Sequence, residues 1–254
     1  MHRNPIALAA LSLTALACLA VPAASAPAAG RAEPAAAVPA VPAVAAAPPS
    51  SAFEHPRHNP WFPLRPGTRW VLEGRDEGHR LIQRTTVTHR HRMVAGIRAR
   101  VVRDVVRRAD GSIAELTRDW YAVDDRGTVW YLGEATATYD RHGDLEDRDG
   151  SWEAGVDGAV AGRIMPAHPR VTTAYRQEYW EGEAEDQAWT VQRGARISTP
   201  AAEGRGLRSL EWTRLEPRVV SQKLYLRGYG LVGERDLAGG SERFALVRFT
   251  SPGA

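Results

Sequence analysis

The sequence predicts an all-β protein: a single domain built as a strongly bent antiparallel meander sheet or open barrel of about ten to twelve strands, with little helix. Three observations predict it. From Asn59 onward apolar and polar residues alternate with period two. Gly-, Asp- and Pro-containing turn signals recur at short spacing. No stretch of useful length carries the apolar stripe of an amphipathic helix. Sequential short turns imply up-and-down pairing, and so many strands must curl, close or split into layers.

Thr68 to Glu73 forms the first strand, after the Pro66-Gly67 turn. Arg80 to Met93 makes a long second strand, turned by Ala95-Gly96 into Ile97 to Arg108. Asp110-Gly111 is a strong hairpin signal leading into Ile113 to Val123. Asp124 to Gly127 turns into Thr128 to Glu134, and a further pair surrounds Arg141-His142-Gly143. A short helical turn is expected around Ala135 to Tyr139. Ala174 to Glu181 and Ala184 to Gln192 read as a hairpin across Gly182. Leu207 to Leu215, Val219 to Leu226, Tyr229 to Leu237 and Arg243 to Phe249 complete the count.

Residues 1–26 read as a secretory signal: His2 and Arg3, an apolar run from Ile6 to Val21, then Ala24-Ser25-Ala26 as the cleavage site. The run falls short of the roughly 20 residues of a membrane span. A loose lipobox at Ala15 to Cys18 offers lipidation of Cys18 as the alternative. Residues 27–58, rich in Ala and Pro, are expected to form a disordered, polyproline-like linker, and residues 59–250 the β domain. The expected location is therefore secreted or cell-envelope, with no transmembrane segment after signal removal, and a monomer is expected. Cys18 is the only cysteine, which excludes thiol nucleophiles, disulfides and thiolate zinc sites from the domain. With 33 basic and 30 acidic residues the chain is near neutral, and its basic strand residues alternate with valines, so a nucleic-acid partner is not expected.

Several phrases look familiar together: Asn59-Pro60-Trp61-Phe62-Pro63-Leu64 with Pro66-Gly67-Thr68; Asp119-Trp120-Tyr121-Ala122 with Val129-Trp130-Tyr131 and Gly133-Glu134; Gly150 to Gly158 (GSWEAGVDG); and Met165-Pro166-Ala167-His168-Pro169. They resemble an uncharacterised family of exported bacterial β-rich proteins, many of them actinobacterial. The resemblance spans Asn59 to Phe249. It implies an exported β domain and carries over no catalytic residue. Leu72 stands where an aromatic is expected.

The segment from Gly150 to Gly182 is the candidate functional loop, since its first half has neither helical nor strand period. His168, held between prolines, and the carboxylates Glu134, Asp157 and Glu178 are candidate ligands for a divalent metal such as zinc. The competing reading of these residues is an Arg–Glu network that fixes loop geometry. Asp147 to Gly150 resembles half a calcium loop, but Leu145 and Val156 occupy the end positions that need oxygen ligands. His89 and His91 share a strand face without a third ligand. The aromatics Trp120, Trp130, Tyr131, Trp152 and Tyr175 are the candidate ligand-binding set, lining a concave face that would take a small molecule, glycan or lipid. The competing reading is a core filled with large rings. Esterase, zincin, nucleotide-hydrolase and dinucleotide motifs are absent from the sequence. The expected function is an exported ligand-binding or structural protein, not an enzyme. The alternative is an extracytoplasmic metal-dependent hydrolase.

Overall fold

The structure, a computed structural model, describes residues 48–252. The predicted signal, Cys18 and most of the linker lie outside the described residues. The linker's last residues carry a 3-10 turn, Ser50–Phe53, and Phe53 packs against the core.

The chain begins as a meander of five strands: β1 (Arg69–Asp76), β2 (His79–Val94), β3 (Ile97–Arg108), β4 (Ile113–Val123) and β5 (Val129–Ala135). Two-residue turns close the first two hairpins. Glu77-Gly78 and Ala95-Gly96 all adopt positive φ, the backbone that matches the twist of the flanking strands. The expected helical turn at Ala135 to Tyr139 is instead the short strand β6 (Thr138–Tyr139), paired with β7 (Leu145–Asp147) around the predicted turn.

The segment 150–182 is not an irregular loop. It contains β8 (Trp152–Glu153), β9 (Val160–Met165), β10 (Ala174–Arg176) and β11 (Glu178–Tyr179). Its glycines and prolines mark turns between β8, which is too short to show a period, and β9, whose residues do not alternate, while β10 and β11 lie within the expected strand Ala174 to Glu181. A second meander follows: β12 (Asp186–Ser198), β13 (Glu203–Thr213), β14 (Val220–Leu226), β15 (Gly230–Ala238) and β16 (Arg243–Thr250). The strand total therefore exceeds the prediction, and the excess consists of two- and three-residue pieces.

The two meanders join where β1 pairs with β16, giving one antiparallel sheet with the order β10-β12-β13-β14-β15-β16-β1-β2-β3-β4-β5-β9-β11. Its edge strands are consecutive in the chain. β10 pairs with β12, Gln177 donates its N–H to Asp186 O at 2.8 Å, and β11 pairs with β9. One extended segment thus touches both edges, and the sheet is nearly closed into a barrel. This seam is held by three register pairs on one side and two on the other.

The Asn59–Leu64 phrase packs on the sheet rather than pairing with it. Asn59 Nδ2 donates to Gly127 O at 2.8 Å and to Pro166 O at 3.2 Å, tying three of the sequence phrases together. Phe62 meets Tyr121 edge-on at 5.0 Å. Phe62, Leu64, Trp70, Leu72 and Leu231 surround an apolar cavity of about 30 Å³, which has room for water only. Leu72 is buried there without the expected ring.

Candidate functional site: a carboxylate-lined interior

In a strand, alternate side chains share a face. On β4 that rule sends Glu115, Thr117, Asp119 and Tyr121 to one side, all of them buried. Asp104 of β3 lies opposite Thr117, and Thr85 of β2 lies opposite Asp104. Asp119 lies opposite Glu134 of β5, and Glu134 opposite Trp152 of β8. Across the interior, β13 and β14 contribute Glu211, Lys223 and Tyr225, with Glu234 of β15 beside Lys223. The inner wall of this barrel is thus polar, with carboxyl groups and tyrosines where an apolar core is the usual filling.

The interior has two halves. In the first, Lys223 Nζ pairs with Glu211 Oε2 at 2.8 Å and Glu234 Oε1 at 3.6 Å. Burial alone would lower the Lys223 pKa, but Glu211 and Glu234 hold the ammonium well above its ordinary value. Tyr175 lies in this half, opposite Ala188, and burial with the Glu211 charge raises its phenol.

The second half holds acids without a paired cation. Asp104 Oδ2 accepts from Gln83 Nε2 at 2.7 Å and Thr85 Oγ1 at 2.8 Å, while burial pushes its pKa up to about 6. Asp119 Oδ1 accepts from the Tyr131 hydroxyl at 3.0 Å, and burial, then the Asp104 charge, push it to about 7. Glu134 is 1% exposed, and neither of its carboxyl oxygens has a hydrogen-bond partner. Burial, then Asp119 and Glu178, raise it well above the ordinary carboxylate range. Burial, then Asp186, do the same to Glu178, whose Oε2 is also unpartnered. The Gln177 amide on the seam stands unpartnered in the same region, and the Trp152 indole N–H lies near Glu178 and partly offsets the rise of its pKa.

Of the predicted aromatic set, Tyr131 and Trp152 belong to this second half, edge to face at 5.2 Å, with Tyr121 stacked on Tyr131 at 4.9 Å. Trp120 and Trp130 do not join them, because each is the strand neighbour of an inward tyrosine and points the other way. Arg92 lies 4.2 Å over the Trp120 ring, and Trp130 Nε1 donates to Asp124 Oδ2 at 3.0 Å. The five aromatics therefore do not line one face.

Of the predicted metal set, Glu134 and Glu178 come together inside the barrel. His168 and Asp157 do not join them. Both are exposed, Asp157 on a turn with φ 48°. Among the described residues no group of three or more His, Cys, Asp or Glu is placed to hold a metal ion.

Sequence reasoning missed Asp104, Glu115, Asp119 and Lys223. A signal was present for three of them: Glu115, Thr117 and Asp119 occupy alternate positions of one strand, and Lys223 is the single lysine of an arginine-rich chain.

Fold and interior together define a nearly closed antiparallel barrel with an acid-lined core. No family model and no curated protein matches the chain. Two solved structures are similar to it. One is a candidate exported protein with a YmcC-like fold from Bacteroides fragilis, with 13% identity and a TM-score of 0.45 over 75% of this chain and 99% of that one. The other is a candidate lipoprotein from Parabacteroides distasonis, with 12% identity and a TM-score of 0.41 over 76% of this chain and 100% of that one. No helix among the described residues is long and apolar enough to cross a membrane.

Proposed function

We propose that this chain is a non-catalytic exported binding protein whose barrel interior takes a small organic cation between Glu134, Asp119 and Glu178 and the rings of Tyr131 and Trp152. Export rests on the signal reading of residues 1–26 and on the family resemblance. The binding reading rests on one observation: Glu134 is fully buried without a cation and with only the Tyr131 hydroxyl, which donates to Asp119, near its carboxyl, beside two further acids and two aromatic faces. A buried carboxylate is stable only when it is neutral or matched by a cation. Carboxylates with tyrosine and tryptophan faces provide the surroundings that an ammonium group favours. Entry fits the seam at Gln177, where the register is shortest and Glu178 sits on the closing strand.

The metal-hydrolase reading is less well supported, since it requires the exposed His168 and Asp157 to reach acids enclosed by the barrel. Titration of the protein with n-butylammonium at pH 6 and pH 8 tests the proposal. The cation displaces protons from acids that titrate near neutrality, so binding should be tighter at pH 8 and release protons. It should vanish in a folded Glu134→Gln variant. Absence of binding at both pH values, or equal binding by that variant, refutes the reading.

A further inference from the structure

The outer face of the same sheet carries the opposite charge. Arg248 of β16 lies across from Val71 of β1, which lies across from Arg84 of β2. In the next row, Arg69 of β1 faces Thr86 of β2, Thr86 faces Arg103 of β3, and Arg103 faces Arg118 of β4. All five arginines are exposed. Among the described residues none of them makes an ion pair, and the nearest outward carboxylate, Glu73, is occupied by Arg80 at 2.7 Å. At about 4.8 Å per strand spacing, the five strands make a face about 19 Å wide.

Like charges directly opposed on neighbouring strands, as Arg103 and Arg118 are, disfavour the sheet. The acids that would neutralise them, Asp104 and Asp119, project from the same strands into the interior. The field of the arginines is thus left to an external counter-charge. Between the guanidinium groups lie half-buried Val71, Ile82 and Leu116, and the outward ring beside Arg118, Trp120, is buried with Arg92 over it. With no exposed ring this face has no platform on which unpaired bases stack, and a broad sheet face has no projecting element to enter a duplex groove. A broad, convex basic surface with short aliphatic side chains between forked phosphate-binding groups fits the headgroup layer of a bilayer.

We infer that the outer face of β16, β1, β2, β3 and β4 docks on an anionic phospholipid surface through Arg69, Arg84, Arg103, Arg118 and Arg248. The face is independent of the interior site, so either proposal can fail without the other.

Co-sedimentation of the full chain with vesicles tests it, comparing phosphatidylcholine alone with phosphatidylcholine containing phosphatidylglycerol. Binding should appear only with the anionic lipid and weaken as salt rises. Each arginine is expected to contribute about fivefold, so the double variant Arg103→Gln/Arg118→Gln should bind about 25-fold more weakly. Both side chains are exposed, and the variant's circular dichroism spectrum should match that of the parent. Three results overturn the inference: no binding to anionic vesicles, equal binding to both vesicle types, or undiminished binding by the double variant. Tighter binding to duplex DNA than to the anionic vesicles would also overturn it, by assigning the face to another polyanion.

Discussion

Replacing Asp104 with Asn should remove a proton-linked loss of stability that the wild-type domain suffers as pH rises. Asp104 is buried on β3, and burial raises its pKa from 3.8 to about 6 in the fold. Below pH 3.8 the carboxyl is protonated in both the folded and unfolded chains and makes no difference. Between that value and about 6 the unfolded chain sheds the proton first. The folded state then binds more protons, so stability falls with rising pH. Above about 6 the loss is complete, and the gap between the two pKa values amounts to about 3 kcal/mol. Asn keeps the acceptor that Gln83 and Thr85 use, and it cannot ionise. Its amide nitrogen takes the place of Oδ1, which is unpartnered in the carboxyl form too, so that cost is shared at low pH. The assay is urea unfolding followed by tryptophan fluorescence at pH 4, 5, 6 and 7.5. Relative to the parent, Asp104→Asn should gain about 2.5 kcal/mol between the first and the last of these conditions. Removing the Asp104 charge also relieves Asp119, which acts in the same direction. Parallel stability profiles for the two proteins, or a parent that grows more stable from pH 4 to pH 7.5, would refute the reasoning.

Three further outcomes are expected. Lys223→Met leaves Glu211 and Glu234 buried without their cation and should cost about 3–5 kcal/mol at neutral pH, measured by chemical denaturation. Asn59→Ala frees the Gly127 and Pro166 carbonyls and should cost about 2 kcal/mol, whereas His168→Ala at an exposed position should stay within about 0.5 kcal/mol of the parent in the same measurement. A Cβ on Gly162 would stand 2.3 Å from the Gln177 carbonyl, so Gly162→Ala should destabilise by about 1–3 kcal/mol and speed hydrogen exchange selectively in residues 160–165 and 174–179.

Local periodicity made the long strands legible. β1 through β5 and β12 through β16 are long enough to show alternation, and positive-φ pairs such as Ala95-Gly96 announce their turns. β8 is too short to show a period and β9 (Val160–Met165) does not alternate, so both lie in what reads as a loop, whereas β10 and β11 fall within the expected strand Ala174 to Glu181, which breaks at Gln177. The candidate site was legible only in part. Glu134, Glu178, Tyr131 and Trp152 were singled out by residue type and neighbourhood. Asp104 and Asp119 escaped notice because an acid in an alternating strand reads as solvent-facing unless the inner side of the sheet is known to be polar. His168 and Asp157 attracted attention through their setting of prolines and glycines, which serves turn geometry here.

The sequence by itself determined the class of structure: a period of two, turn chemistry every few residues and the lack of an apolar helical stripe admit only a large antiparallel sheet. Only the tertiary structure decided which face of that sheet is inside. Closure at Gln177 joins edges that stand at opposite ends of the sheet order, and it encloses the acids of β3, β4, β5 and β11 while leaving the arginines of β1, β2, β3 and β4 outside. The physical reason is that alternation sorts side chains into two sets but does not say which set faces water. That choice depends on long-range pairing, and it turns near-balanced numbers of acids and bases into an acidic interior behind a basic face.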